Sequence, residues 1–174
     1  LCPPRFHLMR VPRHERVSGF VMFNHLGLRA VDRLVLAREL SPRALFVLMS
    51  IAARMHPRTG RAWVTTVELA ARHGMEPDHM GKYVGLLKQL GLLVRRKEGP
   101  TRKLEAWERR FLPDPSTRTL HGRRLFLQIH PLLVSVGGQT KLDRDLDQFR
   151  KAIGGRALRF EEVLAAIKAE DEAA

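Results

Sequence analysis

A very short turn joins two helix-forming segments near the middle of the chain. In the first segment, "TTVELAARHG", Thr65 and Glu68 have the spacing of a capping box, and Gly74 provides a helix stop. Pro77 follows soon after and suits the first position of a second helix, which we expect to extend to about Leu90. Because so few residues join them, the two helices must cross at a steep angle.

The second helix of this pair has two contrasting faces. At about 100° per residue, one face carries Met80, Val84, Leu87 and Gly91, and the other carries Asp78, Lys82, Gly85 and Gln89. The second face is short, polar and unobstructed, which suits the major groove of duplex DNA. Gly81 and Gly85 each cost about 1 kcal/mol relative to alanine inside a helix, and either close approach to DNA or tight packing against a neighbouring helix would explain them. Leu86 lies away from the apolar face, where a thymine methyl, a partner subunit or solvent would meet it.

Two further helices and a strand are predicted before this pair. The stretch "GFVMF" at 19–23 is expected to form a short strand, and apolar residues at three- and four-residue steps predict an amphipathic helix over 28–40. Ser41 and Pro42 open a further helix, "SPRALFVLMSIAARM", with apolar residues on nearly every side. We therefore expect that helix to be central, with neighbours all round. A turn at 56–62 and a brief strand at "AWV" follow.

Strands, an insertion and two more helices are predicted after the pair. The segments 92–97 and 123–131 are expected to be strands, while residues 98–122 combine loop sequence with "LEAWERRFL", which fits a helix as well as a strand. Amphipathic helices at 141–153 and 156–170 close the chain. Alternation in the strand predicted at 123–131 places three aliphatic residues on one face: Leu125, Leu127 and Ile129.

Positive charge is the strongest compositional signal. Lys and Arg number 31 against 18 Asp and Glu, which gives a formal net charge of +13. Residues 141–174 are nearly balanced, so the first 140 residues hold 24 basic against 10 acidic residues. Such a surplus attracts polyanions, and on duplex DNA each neutralised phosphate also releases condensed counterions. Residues 1–18 join three prolines to four arginines, which predicts an extended basic arm.

Other features of the composition set broader limits. With 44% hydrophobic and 28% charged residues, the chain is typical of a soluble globular protein, and its length suits either one domain with a proper core or one domain with an accessory lobe. We expect no membrane span, because no apolar run approaches the required length of about 20 residues. The single cysteine, Cys2, permits no internal disulfide, which favours a reducing compartment and a cytoplasmic protein. Because the chain begins at Leu1, the sequence is compatible with a fragment of a longer protein.

The segment "VTTVELAARHGMEPDHMGKYVGLLKQLGLLVRRKEG" resembles the helix-turn-helix and wing of winged-helix DNA-binding proteins. Their recognition helix ends in a Leu-x-x-x-Gly-Leu-Leu phrase, found here at 87–93, and a basic hairpin follows. Over residues 19–138, the order of "GFVMF", helices, wing and "LFLQIHPLLVSVGG" resembles the RepL-type plasmid replication initiators. Two departures stand out: His130 occupies a position where those proteins usually have Asn, and residues 98–122 are inserted where their wing is short.

This resemblance implies a mainly α fold with a small β-hairpin wing, a winged helix-turn-helix with additional N-terminal and C-terminal helices. The DNA-binding domain would span 19–138, and a helical segment would occupy 139–174. DNA contacts on the recognition helix would come from Asp78, His79, Gly81, Lys82, Tyr83 and Gln89.

Their expected roles follow from side-chain chemistry. Lys82 would meet a guanine edge or a phosphate, and Gln89 a phosphate. Asp78 fits charge compensation at a helix N-terminus equally well. Thr65 and Thr66 would donate to phosphate, although capping alone explains one of them.

The basic segment after the recognition helix supplies further candidates. Placed there, such a run favours phosphate or minor-groove contacts, although a solvated basic face is its usual meaning. The candidates are Arg95, Arg96, Lys97, Arg102, Lys103, Arg109, Arg110, Arg123 and Arg124.

Catalytic sequence patterns are missing from the chain. The eight histidines show no metal-ligand spacing, and the only tyrosine, Tyr83, lies in the middle of a predicted helix rather than at a nickase site. The spacing of Gly74 to Gly81 and Lys82 does not match a nucleotide-binding P-loop. We therefore expect a protein with no catalytic residues, no bound metal and no cofactor.

The leading hypothesis is sequence-specific binding of double-stranded DNA by a plasmid or phage-type replication initiator. It would recognise an origin, and host replication proteins would then open the strands and load the polymerase. A winged-helix transcriptional regulator would use the same scaffold, and the sequence does not separate the two. A third hypothesis is an interaction module in which the C-terminal helices pair subunits and charge serves solubility. A homodimer is compatible with the DNA-binding hypotheses, because winged-helix proteins often read two half-sites.

Overall fold

Six α-helices and three small antiparallel sheets form the described part of the protein. The computed structural model describes residues 21–112, 114–122, 124–155 and 158–173. The helices are α1 (His25–Leu36), α2 (Pro42–Ala52), α3 (Thr66–Arg72), α4 (Pro77–Gln89), α5 (Gln139–Ala152) and α6 (Arg159–Ala173). The strands are β1 (Val21–Phe23), β2 (Leu93–Lys97), β3 (Arg102–Lys103), β4 (Thr119–Leu120), β5 (Leu125–Ile129) and β6 (Val134–Val136). The expected mainly helical class with short strands is confirmed, while the basic arm predicted at 1–18 lies outside the described residues.

Local capping signals set the ends of α1 and α2. The Asn24 side chain accepts hydrogen bonds from the Leu26 and Gly27 N–H groups, so α1 begins three residues earlier than the periodicity predicted. The Ser41 side chain accepts from the Ala44 N–H, and Pro42 opens α2 as predicted.

The expectation that α2 has neighbours all round is wrong. Its buried residues Val47, Leu48 and Ile51 lie in the main core, but Phe46 is 68% exposed and Met49 is 43% exposed. The helix packs against α4 on one side and β5 on another. One apolar side of α2 therefore faces outward.

Two strand pairings join segments that are far apart in the sequence. β1 pairs antiparallel with β6, and β2 pairs antiparallel with β5 in the register Leu93 to Ile129. The predicted strand at "AWV" reduces to a single bridge, in which Ala62 joins Leu127 on the other edge of β5.

Both faces of β5 are covered, so the predicted alternation holds only in part. Leu127 and Ile129 lie in the main core, as expected, but Leu125 is 47% exposed. On the opposite face, Phe126 and Gln128 are buried as well. The prediction missed this second face because the insertion and α5 supply its cover.

The insertion at 98–122 folds as a small lobe with its own apolar cluster. β3 and β4 pair antiparallel in it, and "LEAWERRFL" between them contains a turn and a 3₁₀ helix at Glu108–Phe111 rather than a long helix or strand. The buried Glu108 carboxylate accepts the Glu105 N–H and pairs with Arg102, which fixes the turn. The apolar cluster consists of Trp63, Leu104, Leu112, Leu120 and Phe126.

The two C-terminal helices pack onto the rest of the chain. Phe160, Leu164 and Ile167 of α6 are buried in the main core, and α6 lies against α1. Ion pairs join α6 to α1 and to the residues that follow it: Arg29 with Asp171, Arg33 with Glu170, and Arg159 with Glu39.

His130 connects the loop after β5 to both C-terminal helices. Its ring lies 4.7 Å from the Phe149 ring of α5 and 4.9 Å from the Phe160 ring of α6, measured between centroids. Burial lowers the pKa of His130 to about 4, although the nearby negative charge of Glu161 acts in the opposite direction. The neutral imidazole can then accept the Leu132 N–H at Nδ1, which closes the turn that leads into β6.

Candidate nucleic-acid interface

The start of α3 is fixed by the predicted capping box. The Thr65 hydroxyl oxygen accepts the Glu68 N–H at 3.2 Å, and the Glu68 carboxylate accepts the Thr65 N–H at 2.8 Å. Thr65 is exposed, but its side chain is already engaged in capping. Thr66 is half-buried at the first helical position.

A four-residue turn sets the angle between α3 and α4. Gly74 adopts a positive φ of 60°, and the Met75 N–H donates to the Ala70 carbonyl at 2.9 Å, which completes a Schellman-type helix end. The His73 ring hydrogen-bonds the Ser50 hydroxyl at 2.9 Å and so ties the turn to α2. α4 then begins at Pro77, as the sequence predicted.

The predicted faces of α4 are confirmed by burial. Met80, Val84 and Leu87 are buried in the main core, while the opposite side of the helix is solvent-accessible. The expectation for Leu86 is wrong, because this side chain is half-buried and packs against the core. Tyr83 packs in the same way, so it lies at the margin of the exposed face rather than on it. The exposed residues of the helix are Pro77, Asp78, His79, Gly81, Lys82, Lys88 and Gln89.

Gly81 and Gly85 do not serve packing against the part of the chain that the structure describes. Apart from the adjacent residues and the backbone of α4 itself, a Cβ atom added at either position would meet no atom within 4 Å. Of the two explanations left open by the sequence, tight packing against a neighbouring helix therefore fails. The two glycines leave a low strip of backbone on the exposed side of α4.

Lys82 lies beside this strip and makes no ion pair within the described residues. Its charge is thus available to an outside partner. Lys88, which the sequence prediction passed over, is exposed on the same side of the helix as Gly81, seven residues earlier. The seven-residue spacing was the signal that could have found it.

The hairpin of β2 and β5 separates the basic residues of β2. Register pairs Arg95 with Leu127 and Lys97 with Leu125, and directly paired residues share a face. We call this side, which turns toward α3, the front face. Arg95 and Lys97 are exposed there, and Arg95 lines a groove of about 300 Å³ together with Thr65 and Thr66.

Arg96 lies on the opposite side of the hairpin, which we call the back face, with Phe126 and Gln128. Its guanidinium donates to Gln128 Oε1 at 2.8 Å and to Gln148 Oε1 of α5 at 3.1 Å. Burial lowers the pKa of Arg96, and the nearby charge of Arg61 adds to this effect. The structure therefore places Arg96 apart from Arg95 and Lys97.

The candidates in the insertion lobe also fall into two groups. Arg102 forms a two-armed ion pair with Glu108, at 2.8 Å for both nitrogens, and this bond raises the pKa of Arg102. Burial alone would raise the pKa of Glu108, but the hydrogen bonds from Arg102 and from the Glu105 N–H outweigh it and lower the value. Arg102 thus has an internal partner.

The other basic residues near the lobe differ in exposure. Lys103 and Arg110 are exposed, whereas Arg109 and Arg124 are half-buried. Arg118, which the sequence prediction omitted, is exposed just before β4. Arg123 lies outside the described residues.

No protein-family model, no curated protein and no solved structure matches this chain. Within the part of the chain that the structure describes, no helix combines the length and the hydropathy that a membrane crossing requires. The same residues contain no group of three or more His, Cys, Asp or Glu side chains placed to hold a metal ion.

Proposed function

We propose that this protein binds double-stranded DNA as a winged-helix protein, with α4 as its recognition helix. The observation that carries the proposal is the exposed side of α4, where Gly81 and Gly85 leave open space beside the exposed Lys82. Two glycines inside one helix cost about 2 kcal/mol together, and no contact within the described chain accounts for them. A partner that must approach the backbone closely would account for them.

The dimensions of α4 suit the major groove. This groove is about 12 Å wide, and a helix with its side chains is about 10–12 Å across, so missing side chains allow a helix to go deeper. Lys82 would then reach a guanine edge or a phosphate, His79 would meet base edges, and Gln89 and Lys88 would lie toward the backbone. Asp78 lies in the first turn, where its charge also compensates the helix N-terminus.

The front face of the hairpin would act as the wing and hold the phosphate backbone. Arg95 and Lys97 are exposed there, next to the start of α3. Lys103, Arg110 and Arg118 are exposed on the insertion lobe, which packs against Phe126 of the opposite face, so this front-face contact does not include them. Arg96 and Arg102 would instead hold the hairpin and the lobe in shape, since their guanidiniums have internal partners.

The biological role that we propose is recognition of a replication origin, with host replication proteins acting after it. This finer role follows from the sequence resemblance, and a transcriptional regulator on the same scaffold is the alternative. We propose no enzymatic activity. Pairing of subunits through α6 has little support, because the apolar residues of that helix lie in the protein's own core.

Duplex binding at several salt concentrations tests the DNA proposal. Binding to random duplexes should weaken steeply with salt, and the double variant R95A/K97A should lower the slope of log K against log salt by about one per lost phosphate contact. The matched control is K168A, an exposed lysine on α6. A slope near zero for the unaltered protein would contradict the proposal.

Selection from a random duplex pool tests the role of α4. The unaltered protein should enrich a defined sequence, and K82A should lose that enrichment while R95A/K97A binds all duplexes more weakly. The reverse pattern would overturn the assignment of roles. To separate initiator from regulator, the enriched sequence is placed in a plasmid without an origin and, separately, upstream of a reporter; maintenance of the plasmid supports initiation, and a change in reporter expression alone supports regulation.

A further inference from the structure

A second basic feature lies between the turn that follows α2 and the helix α5. A cleft of about 290 Å³ opens there. Four basic side chains line it together with one acid and one amide: Arg58, Arg61, Lys141, Arg144, Asp145 and Gln148. The cleft thus differs from the groove beside α3 in both its location and its charge.

The cleft belongs to the back face of the hairpin. Gln148 lines it and accepts a hydrogen bond from Arg96, whose side chain projects from the back face of β2. The Arg61 guanidinium lies 4.9 Å from the centroid of the Phe126 ring, and the Arg96 guanidinium lies 5.7 Å from the same ring. Two guanidinium groups therefore lie close to the Phe126 ring.

Acidic residues offset only part of this charge. Arg61 pairs with Glu98, and Lys141 pairs with Asp145. Arg144 is exposed and forms no ion pair within the described residues. A cation such as Arg144 that remains uncompensated in a concave site attracts anions, since the surrounding low-dielectric walls concentrate the field.

The chemistry of the lining indicates which part of an anion would fit. Guanidinium groups match the oxygens of a phosphate with paired hydrogen bonds, and Gln148 adds an amide. None of the lining residues is aromatic, so the cleft offers no ring on which a base could stack. These features favour a phosphate group over a nucleoside.

We propose that this cleft is a second anion site, which binds a phosphate group on the back face of the hairpin. The proposal does not depend on DNA binding by α4. None of the residues that line the cleft belongs to α4, so we expect a short duplex held along α4 to leave the cleft free. The phosphate would come from a free phosphorylated molecule or from a second stretch of nucleic acid backbone.

Calorimetric titration with inorganic pyrophosphate tests the site, and duplex binding tests the second source of phosphate. R144A removes the cation that lacks an ion pair, while R150A on the same helix lies outside the cleft and serves as the matched control. R144A should weaken pyrophosphate binding by about two- to fivefold, the factor that an exposed charge contact of up to about 1 kcal/mol carries. D145N should strengthen it, because the lining then loses its only acid. Thermal unfolding of each variant confirms that it is folded.

The outcomes separate the two sources of phosphate. If a free molecule is the ligand, R144A and D145N shift pyrophosphate binding in opposite directions and leave the affinity for a short duplex unchanged. If a second stretch of DNA is the ligand, pyrophosphate binds weakly, but R144A lowers the affinity for a long duplex and not for a short one. The proposal is overturned if R144A behaves like R150A with pyrophosphate and with both duplexes. Loss of duplex binding by the α4 variant K82A alone would leave this site unaffected.

Discussion

Replacing both glycines of α4 should stabilise the protein while weakening its binding to DNA. A Cβ atom at Gly81 or Gly85 meets no atom within 4 Å beyond the adjacent residues and the backbone of α4, so alanine enters without a clash. Each substitution should add about 1 kcal/mol to the free energy of unfolding through helix propensity. For a protein of this size, about 2 kcal/mol corresponds to a rise of about 4–8 °C in Tm. The double variant G81A/G85A should show this rise.

The same methyl groups should hinder a duplex that approaches α4. They occupy the strip beside Lys82 that the glycines leave open. Displacement of one base or phosphate contact costs at least about 1 kcal/mol, which lowers affinity about fivefold or more. Fluorescence anisotropy with a labelled duplex measures the affinity, and urea unfolding measures the stability of the same samples.

Opposite signs of the two effects distinguish this explanation from its rivals. A variant that is more stable and binds DNA with unchanged affinity would show that the open strip does not serve DNA, and the argument for α4 would then fail. A less stable variant would show that the glycines meet a packing demand within the chain. Single variants at the two positions show whether both glycines contribute, and K168A provides the baseline for binding.

Three further predictions concern the fold. G27A should destabilise the protein by about 1–3 kcal/mol, because its Cβ would lie 2.3 Å from a backbone carbonyl oxygen before β6; urea unfolding should show a loss where G81A shows a gain. E98A should destabilise it by about 2–3 kcal/mol, since the buried carboxylate accepts the Trp63 indole N–H at 2.8 Å. E98Q should destabilise the protein less than E98A in the same assay. Acidification should destabilise the fold. Burial lowers the pKa of both His56 and His130 to about 4, below the usual value of about 6.5. Between these two pH values the unfolded chain therefore binds more protons than the folded one. Stability is then complete above about pH 6.5 and falls by up to about 2 kcal/mol per histidine by about pH 5; H130N should remove its share of the slope, and an unchanged slope would contradict the assignment.

The sequence predicted those parts of the fold that short-range signals determine. Thr65 and Glu68 cap α3, Gly74 ends it, and Pro77 begins α4, all within the range of local hydrogen bonds. Periodicity also distinguished the buried Met80 from the exposed Lys82 correctly, because the apolar residues of a helix with one buried side recur about every 3.6 residues. The helix pair was therefore predictable with nearly correct boundaries.

Contacts between distant segments explain what the sequence did not predict. Phe46 looks like a core residue in its local context, yet it is 68% exposed, and no described element packs over its side of α2. Glu98 looks like part of a solvated turn, but the indole of Trp63 and the guanidinium of Arg61 hold it in a buried position. Such outcomes depend on which segments meet in three dimensions, and residue type and spacing do not contain that information.

The basic run that follows α4 shows how strand geometry divides apparently equivalent residues. Arg95 and Arg96 are neighbours in the sequence, but the alternation of a strand directs one to the front face and the other to the back face. Arg95 remains exposed near Thr65, whereas Arg96 is held by Gln128 and Gln148 beside the basic cleft next to α5. R95A should therefore change duplex affinity with little effect on stability, and R96A should lower the unfolding free energy by loosening α5 from the hairpin. If both variants changed DNA affinity equally at unchanged stability, the division of the hairpin into two functional faces would be wrong.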